Sequence, residues 1–299
     1  MGTEETATRR LNLAQAFNPI GSLMGMFVAM NFIQNQLHPM DTAERAQLSQ
    51  AEFEAIRDAD LTILITPYLT IGIVILVMLL IIRMSKMPKN ADQSHSINFL
   101  PTLKRLYAVK RYRYGVVAQF FYVGAQIMCW TFIIQYGTRL FMAQGMEEQA
   151  AEVLSQKYNI VAMVIFLYQP FCVYPDVEVY QSGTVIESAG HCCFLVCAGS
   201  NSFAEHIRYV LSGSISACMS LMFPTIYGIA LKGMGDDAKF GAAGLIMAIL
   251  GGSVLPPLQA AIIDCKTLWG MPAVNLSFVL PLVCFVVITI YGHRMRQEH

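Results

Sequence analysis

The chain has 299 residues, of which 55% are hydrophobic and only 13% charged, and it carries no net charge. A soluble domain averages roughly 25% charged residues, so a protein built for a lipid bilayer is expected. Balanced charge, with no basic patch of interleaved aromatics, excludes a nucleic-acid partner.

Residues 1–10, MGTEETATRR, hold neither an apolar region nor a small-residue cleavage site, so no signal peptide is expected. Apolar stretches near the length of about 20 residues that crosses a bilayer follow at 11–33, 61–83, 114–136, 215–231, 240–263 and 273–292. A further stretch begins at Tyr158 and continues NIVAMVIFL. It loses its apolar character at Tyr168, Gln169 and Pro170 and is expected to stop short of crossing. The predicted fold class is all-α, a polytopic membrane protein.

Charge asymmetry orients the spans. The connection 84–113 carries seven basic residues, Lys86, Lys89, Lys104, Arg105, Lys110, Arg111 and Arg113, whereas 34–60 carries Arg45 and Arg57 beside six acids. The positive-inside rule puts 84–113 in the cytoplasm and 34–60 outside. It also puts Arg9, Arg10 and the C-terminal HRMRQEH inside. An even number of crossings must then follow residue 113. Four good spans satisfy this only if the stretch at 158 does not cross, or crosses together with a partner. Within 34–60, residues 41–60 read as a solvated amphipathic helix.

Polar residues inside the spans carry the chemistry. The first span holds Asn12, Gln15, Asn18 and Asn31; the third holds Gln119, Tyr122, Gln126, Trp130 and Gln135. Amides at membrane depth are costly unless they meet a partner, a cavity or a ligand. Gln15 and Asn18 are three residues apart on one helical face, and Gln119, Tyr122 and Gln126 follow at spacings of three and four. Amides supply paired donors and acceptors to hydroxyls, and aromatic rings pack on the apolar face of a pyranose, so the row suits a sugar. Bridging between helices is the alternative. No span holds Asp or Glu near its centre, and Asp264 lies at a span end. A proton-coupled transporter needs a titratable group near the midplane. The chain offers no nucleophile, base and oxyanion constellation, so an enzyme is not expected.

Four strings carry a resemblance: RLNLAQAFNPIGSLMGMFVA, AQFFYVGAQIMCWTFIIQYG, SACMSLMFPTIYGIALKGMGDDAKFGAAGLIMAILGGSVLPPLQA and SFVLPLVCFVVITIYG. In collinear order over 1–167 and about 214–299, the chain resembles the L-fucose–proton symporter family of the major facilitator superfamily. The resemblance implies two six-helix bundles around a central sugar site with alternating access. By these motifs 11–33 and 61–83 resemble the fifth and sixth spans, 114–136 the seventh, 158 onward the eighth, and the last three spans the tenth to twelfth. Family members carry a proton-linked Asp in the first span and a Glu in the fourth, and no residue here corresponds to either. Met1 then reads as an internal methionine and the chain as a fragment.

The ninth span is also missing from the visible sequence, where YQPFCVYPDVEVYQSGTVIESAGHCCFLVCAGS occupies 168–200. Read one base out of phase, codons for this tract permit a peptide such as ISRFVCTLMWKYISPGRLLSLLAIVA, and Ala204 to Gly213 permit QNIFGMYCL. A short basic loop with Pro-Gly and an apolar span emerge, and the frame rejoins at SACMSLMFP. Residues 168–213 are therefore expected to be out of frame. Cys172, Cys192, Cys193 and Cys197, with His191 and His206, fall in that tract and lack a second C-x-x-C pair, so no metal site is expected. Cys129, Cys218, Cys265 and Cys284 sit in or beside spans as small apolar residues, with no disulfide framework.

The expected organisation is a two-span remnant of an N-terminal bundle (1–83), a basic cytoplasmic loop (84–113), the start of a C-terminal bundle (114–167), the out-of-frame tract (168–213) and three closing spans (214–299). The function expected from the resemblance is proton symport of a hexose, L-fucose foremost, across the inner membrane. A glucose or galactose permease and a non-transporting fragment are the alternatives. Sugar contacts are expected at Gln15, Asn18, Gln119, Tyr122, Gln126 and Trp130, with no proton-coupling residue, no metal and no cofactor. The expected partners are the sugar, protons and the lipid bilayer, and the complete protein is expected to be a monomer. Gly251, Gly252, Pro256 and Pro257 are read either as a gating break or as a close helix contact, and KGMGDDAKFGAAG as a structural turn between spans.

Overall fold

A computed structural model describes residues 18–34, 36–38, 40, 42–45, 47–85, 99–173, 186–190, 215–265, 267–268 and 271–297. They fall into two compact units, 21–96 and the remainder.

In the smaller unit, α1 (Asn18–Val28) passes into a π-helical turn, Ala29–Gln34. Asn31 in that turn donates its side-chain amide to the Phe27 carbonyl at 2.8 Å. A single helical turn, α2 (Thr42–Arg45), precedes α3 (Gln50–Met84). Residues 50–60, expected as part of a solvated loop helix, instead form the first turns of α3. Ser49 starts the helix: its backbone N–H and its hydroxyl both donate to the Glu52 carboxylate, at 3.2 and 2.7 Å. Once at membrane depth, Thr62, Thr66 and Thr70 each bond a carbonyl one turn back, satisfying their hydroxyls within the helix. The apolar side chains from Ile65 to Met84 are mostly exposed, a surface suited to lipid or to other helices.

Asp60 is the buried residue of α3. Its carboxylate accepts from the His38 backbone N–H at 3.2 Å and from the Arg45 guanidinium at 2.8 Å, and it lies 3.0 Å from the His38 ring. These contacts clamp the preceding loop to the helix. Asp60→Asn is expected to loosen the clamp by about 1–3 kcal/mol, read as faster tryptic cleavage after Arg45.

The larger unit is organised by α5 (Lys110–Ala143), whose 34 residues span about 50 Å at 1.5 Å per residue. It touches α6 (Glu148–Val173), α7 (Ile215–Leu231), α9 (Gly251–Asp264) and α11 (Val279–Gln297). The core around it includes Tyr122, Met128, Met219, Met222, Ile226, Phe285 and Ile288. Small residues let the helices approach: a Cβ on Gly251 would collide with the Phe120 carbonyl of α5, and one on Gly124 with Leu255 of α9. Both features of the two sequence readings meet at Gly251: the close helix contact, and a 3-10 turn, Ala248–Leu250, that interrupts the α-helix just before it. The helix continues through Pro256 and Pro257.

Helices Gln50–Met84, Lys110–Ala143, Glu148–Tyr168, Phe240–Asp264 and Val279–Gln297 are long and apolar enough to cross a membrane, with Ile20–Ile33 and Ile215–Leu231 as shorter apolar helices. One expectation is corrected. The stretch at Tyr158 is not a short stub, because α6 starts at Glu148: the segment EQAAEVLSQK is rich in strong helix formers and adds turns that hydropathy alone does not reveal. Span Phe240–Asp264 comprises α8 (Ala238–Met247) and α9, joined by a 3-10 turn, Ala248–Leu250. The last predicted span divides at Phe278 into α10 (Ala273–Ser277) and α11. Before it, β1 (Thr267–Leu268) and β2 (Met271–Pro272) make a minimal antiparallel hairpin in an otherwise all-α fold.

Within the tract expected to be out of frame, residues 168–173 complete α6 and 186–190 form a helical turn; the other residues lie outside the described set, Cys192, Cys193, Cys197, His191 and His206 among them. The 186–190 turn was not anticipated. Ile186 is fully buried in the core, and the Glu187 carboxylate meets His293 at 3.1 Å and Arg296 at 3.3 Å.

At the same end of α5, α4 (Phe99–Ala108) buries Leu106 against Tyr112, Ala230 and Leu245. Arg105 donates twice to Asp237, at 2.9 and 2.8 Å. Gly233 and Gly235 adopt positive φ, 79° and 51°, which gives KGMGDD its sharp turn. Hydrogen bonding to Arg105 holds the Asp237 carboxyl below the usual carboxylate range. The contribution of the contact is therefore full above the ordinary carboxylate range and is lost as pH falls through the depressed value below it. The Asp237 carboxyl resonance should therefore titrate below that of a free aspartate, and Arg105→Gln should return it to the ordinary range.

Candidate functional site

Of the six residues expected to contact sugar, five lie among the described residues, on two helices. Gln15 lies outside the described residues, and Asn18 is the first residue of α1. Gln119, Tyr122, Gln126 and Trp130 form one column along α5, as their spacing requires. Gln119 is 0% exposed, and neither its amide nitrogen nor its carbonyl oxygen has a hydrogen-bond partner among the described residues. Tyr122 is also fully buried; its hydroxyl donates to the Met219 carbonyl of α7 at 2.9 Å, and its ring meets Phe223 edge-on at 6.1 Å. Gln126 is partly buried one turn further. Gln135, in the same span, is exposed.

Trp130 ends the column where three helices converge. Its indole N–H donates to the Ser216 hydroxyl of α7 at 3.3 Å, and its ring stands edge-on to Phe166 of α6 at 5.0 Å. From α6, the Asn159 side-chain N–H donates to the Trp130 carbonyl at 3.2 Å, while the Asn159 carbonyl oxygen is buried without a partner. A cavity of about 30 Å³ opens between them, lined by Cys129, Trp130, Ile133, Asn159, Ala162, Ile215, Ser216 and Phe278. That volume holds a water or a single hydroxyl-sized group, not a whole pyranose.

Asn159, Ser216 and Gln259 are polar groups the sequence reading left out. Gln259 is fully buried in α9, donates to the Ser277 hydroxyl at 3.1 Å, and leaves its own carbonyl oxygen unpaired. The available signal was a lone amide in an apolar run, NIVAMVIFL for Asn159 and LPPLQAAII for Gln259. Among the described residues there is no cluster of three or more metal-ligating side chains.

No family model matches the chain. Over 305 residues it is 43% identical to the L-fucose-proton symporter of Haemophilus influenzae, an alignment covering 98% of this chain and 68% of that protein. The chain belongs to the L-fucose–proton symporter family of the major facilitator superfamily. A second family member, the L-fucose-proton symporter of Escherichia coli, is 28% identical over 100% of this chain and 66% of its own length. The glucose/galactose transporter of Brucella abortus is more distant, at 25% identity over 98% of this chain and 64% of that one. A crystal structure of the major facilitator transporter FucP in the outward conformation superposes with a TM-score of 0.75 at 26% identity, covering 98% of this chain and 69% of that chain. The chain thus spans about two thirds of the length of these symporters and transporters. Family membership accounts for the all-α fold and the apolar spans together.

Proposed function

We propose that this chain serves proton-linked uptake of a hexose, L-fucose foremost, across the inner membrane, with the 84–113 loop and the C-terminus in the cytoplasm. The observation that carries the reading is the α5 column, in which Gln119 presents a buried, unpartnered amide beside aromatic side chains. A polar group retained at that cost makes sense where a ligand bearing hydroxyls meets it. Gln15, Asn18, Gln119, Tyr122, Gln126 and Trp130 are its proposed contacts, and the resemblance assigns the proton-linked carboxylates to spans with no counterpart here. The test is saturable binding of labelled L-fucose to the purified chain, and uptake by transport-deficient cells expressing it. Saturable binding, with accumulation abolished by a protonophore, is expected. Accumulation indifferent to a protonophore would overturn the proton coupling, and no binding of L-fucose, glucose or galactose would overturn the sugar reading.

We further propose that 168–213 is an out-of-phase rendering of a basic loop and a ninth span. Support comes from span parity: with the shorter helix Ile215–Leu231 counted as a span, α6 brings the spans from α5 onward, among the described residues, to an odd number, five, that lacks a partner. Resequencing the gene tests it: a confirmed frame through 168–213 would overturn it.

A further inference from the structure

We propose that Asn159 and Ser216, bonded to the Trp130 backbone carbonyl and indole N–H respectively, form a subsite that takes one hydroxyl group of the substrate; this rests on the sugar-transport reading and extends it to residues outside the α5 column. Donation from the Asn159 amide nitrogen to the Trp130 backbone carbonyl fixes which way the amide faces. Its carbonyl oxygen is thereby committed to the other side, where it is buried and meets nothing. Asn159 is 4% exposed and Ser216 2%. The Ser216 oxygen accepts from the indole N–H, which leaves the hydroxyl proton as a donor. Asn159, with its unpaired acceptor, and Ser216, with a hydroxyl proton to give, thus both belong to the lining of one small cavity, whose remaining walls are mostly apolar: Cys129, Ile133, Ala162, Ile215 and Phe278.

A hydroxyl is the group that complements this pair, since it donates to the Asn159 oxygen and accepts from Ser216. The 30 Å³ volume sets the size: one substituent enters while the ring stays outside. A water has the same complement and is the competing occupant of the cavity. The two sources differ in one respect. If a sugar hydroxyl displaces the water, the subsite discriminates against a sugar lacking that hydroxyl, because the buried acceptor is then left unpaired. If water stays, no sugar position is singled out.

Equilibrium binding to the purified chain, followed by tryptophan fluorescence, separates these outcomes with L-fucose and its mono-deoxy analogues at each ring hydroxyl. One analogue is expected to bind about 10–100-fold more weakly than L-fucose. Ser216→Ala and Asn159→Leu should each weaken L-fucose about tenfold while leaving that analogue near its parental affinity. Ser216→Ala keeps the test open should Asn159→Leu, which also removes the bond to Trp130, fail to fold. Sugar binding in which the variants weaken all analogues alike, or none, would overturn the subsite and leave the transport reading standing. Absence of any sugar binding by the parent chain would overturn both.

Discussion

Replacing Gln119 with leucine is expected to raise the thermal stability of the chain and to lower its affinity for sugar. The two effects have one origin. Gln119 is fully buried on α5, and both polar atoms of its amide lack partners. A buried polar group left in that condition costs about 1–3 kcal/mol, and leucine fills a similar volume with no polar atom. For a domain of this size each kcal/mol moves the unfolding midpoint by about 2–4 °C, so an increase of several degrees should appear in a melting curve recorded without ligand. A residue that serves only packing would give the stability gain alone. If the amide bonds the sugar, its loss should also weaken L-fucose binding by about 10–100-fold, since two hydrogen-bonding atoms go at once. A lower melting temperature would show that Gln119 supports the fold instead, and unchanged affinity would remove it from the site. Gln126→Leu is the companion: Gln126 is only partly buried, so its replacement should change stability little.

Much of this architecture was legible because the bilayer writes itself into composition. A span must satisfy its own backbone and present apolar side chains, and hydropathy records that over about 20 residues. The α5 column was legible for a similar reason: spacings of three and four put Gln119, Tyr122 and Gln126 on one face whatever surrounds them. Element ends were harder. The first turns of α3 and α6 are polar, and helix propensity with the Ser49–Glu52 bonds, not hydropathy, extends those helices. The least legible parts depend on chain distance. Arg105 and Asp237 are 132 residues apart, and Trp130 lies 86 residues from Ser216 and 29 from Asn159. Each of those residues is unremarkable in its own helix, and the cavity exists only where α5, α6 and α7 converge. The sequence also left open whether Gly251 and its neighbours break a helix or allow a contact, because glycine permits both.

Gly251→Ala is expected to be the most damaging single-methyl substitution in the larger unit. An added Cβ at Gly251 would meet the carbonyl of Phe120, which is backbone of α5 and cannot rotate away; the whole of α9 would have to move outward. At Gly124 the added atom meets the end of the Leu255 side chain, which can change rotamer, and at Gly252 it meets Ile127 and Val123 side-chain atoms at 3.1 Å. Destabilisation should therefore rank Gly251 above Gly124 and Gly124 above Gly252, with the first costing about 1–3 kcal/mol as overpacking does. Binding should fall with stability at Gly251, because Phe120 adjoins Gln119 and a displaced α9 alters the seat of the column. A gating hinge makes a different prediction. There the glycines would matter for interconversion between conformers, so alanine would slow transport while leaving the melting temperature unchanged. Melting curves for the three variants decide between the readings: a flat series would remove close contact as the reason for Gly251, and the ranked series would tie the glycine to the α5–α9 crossing.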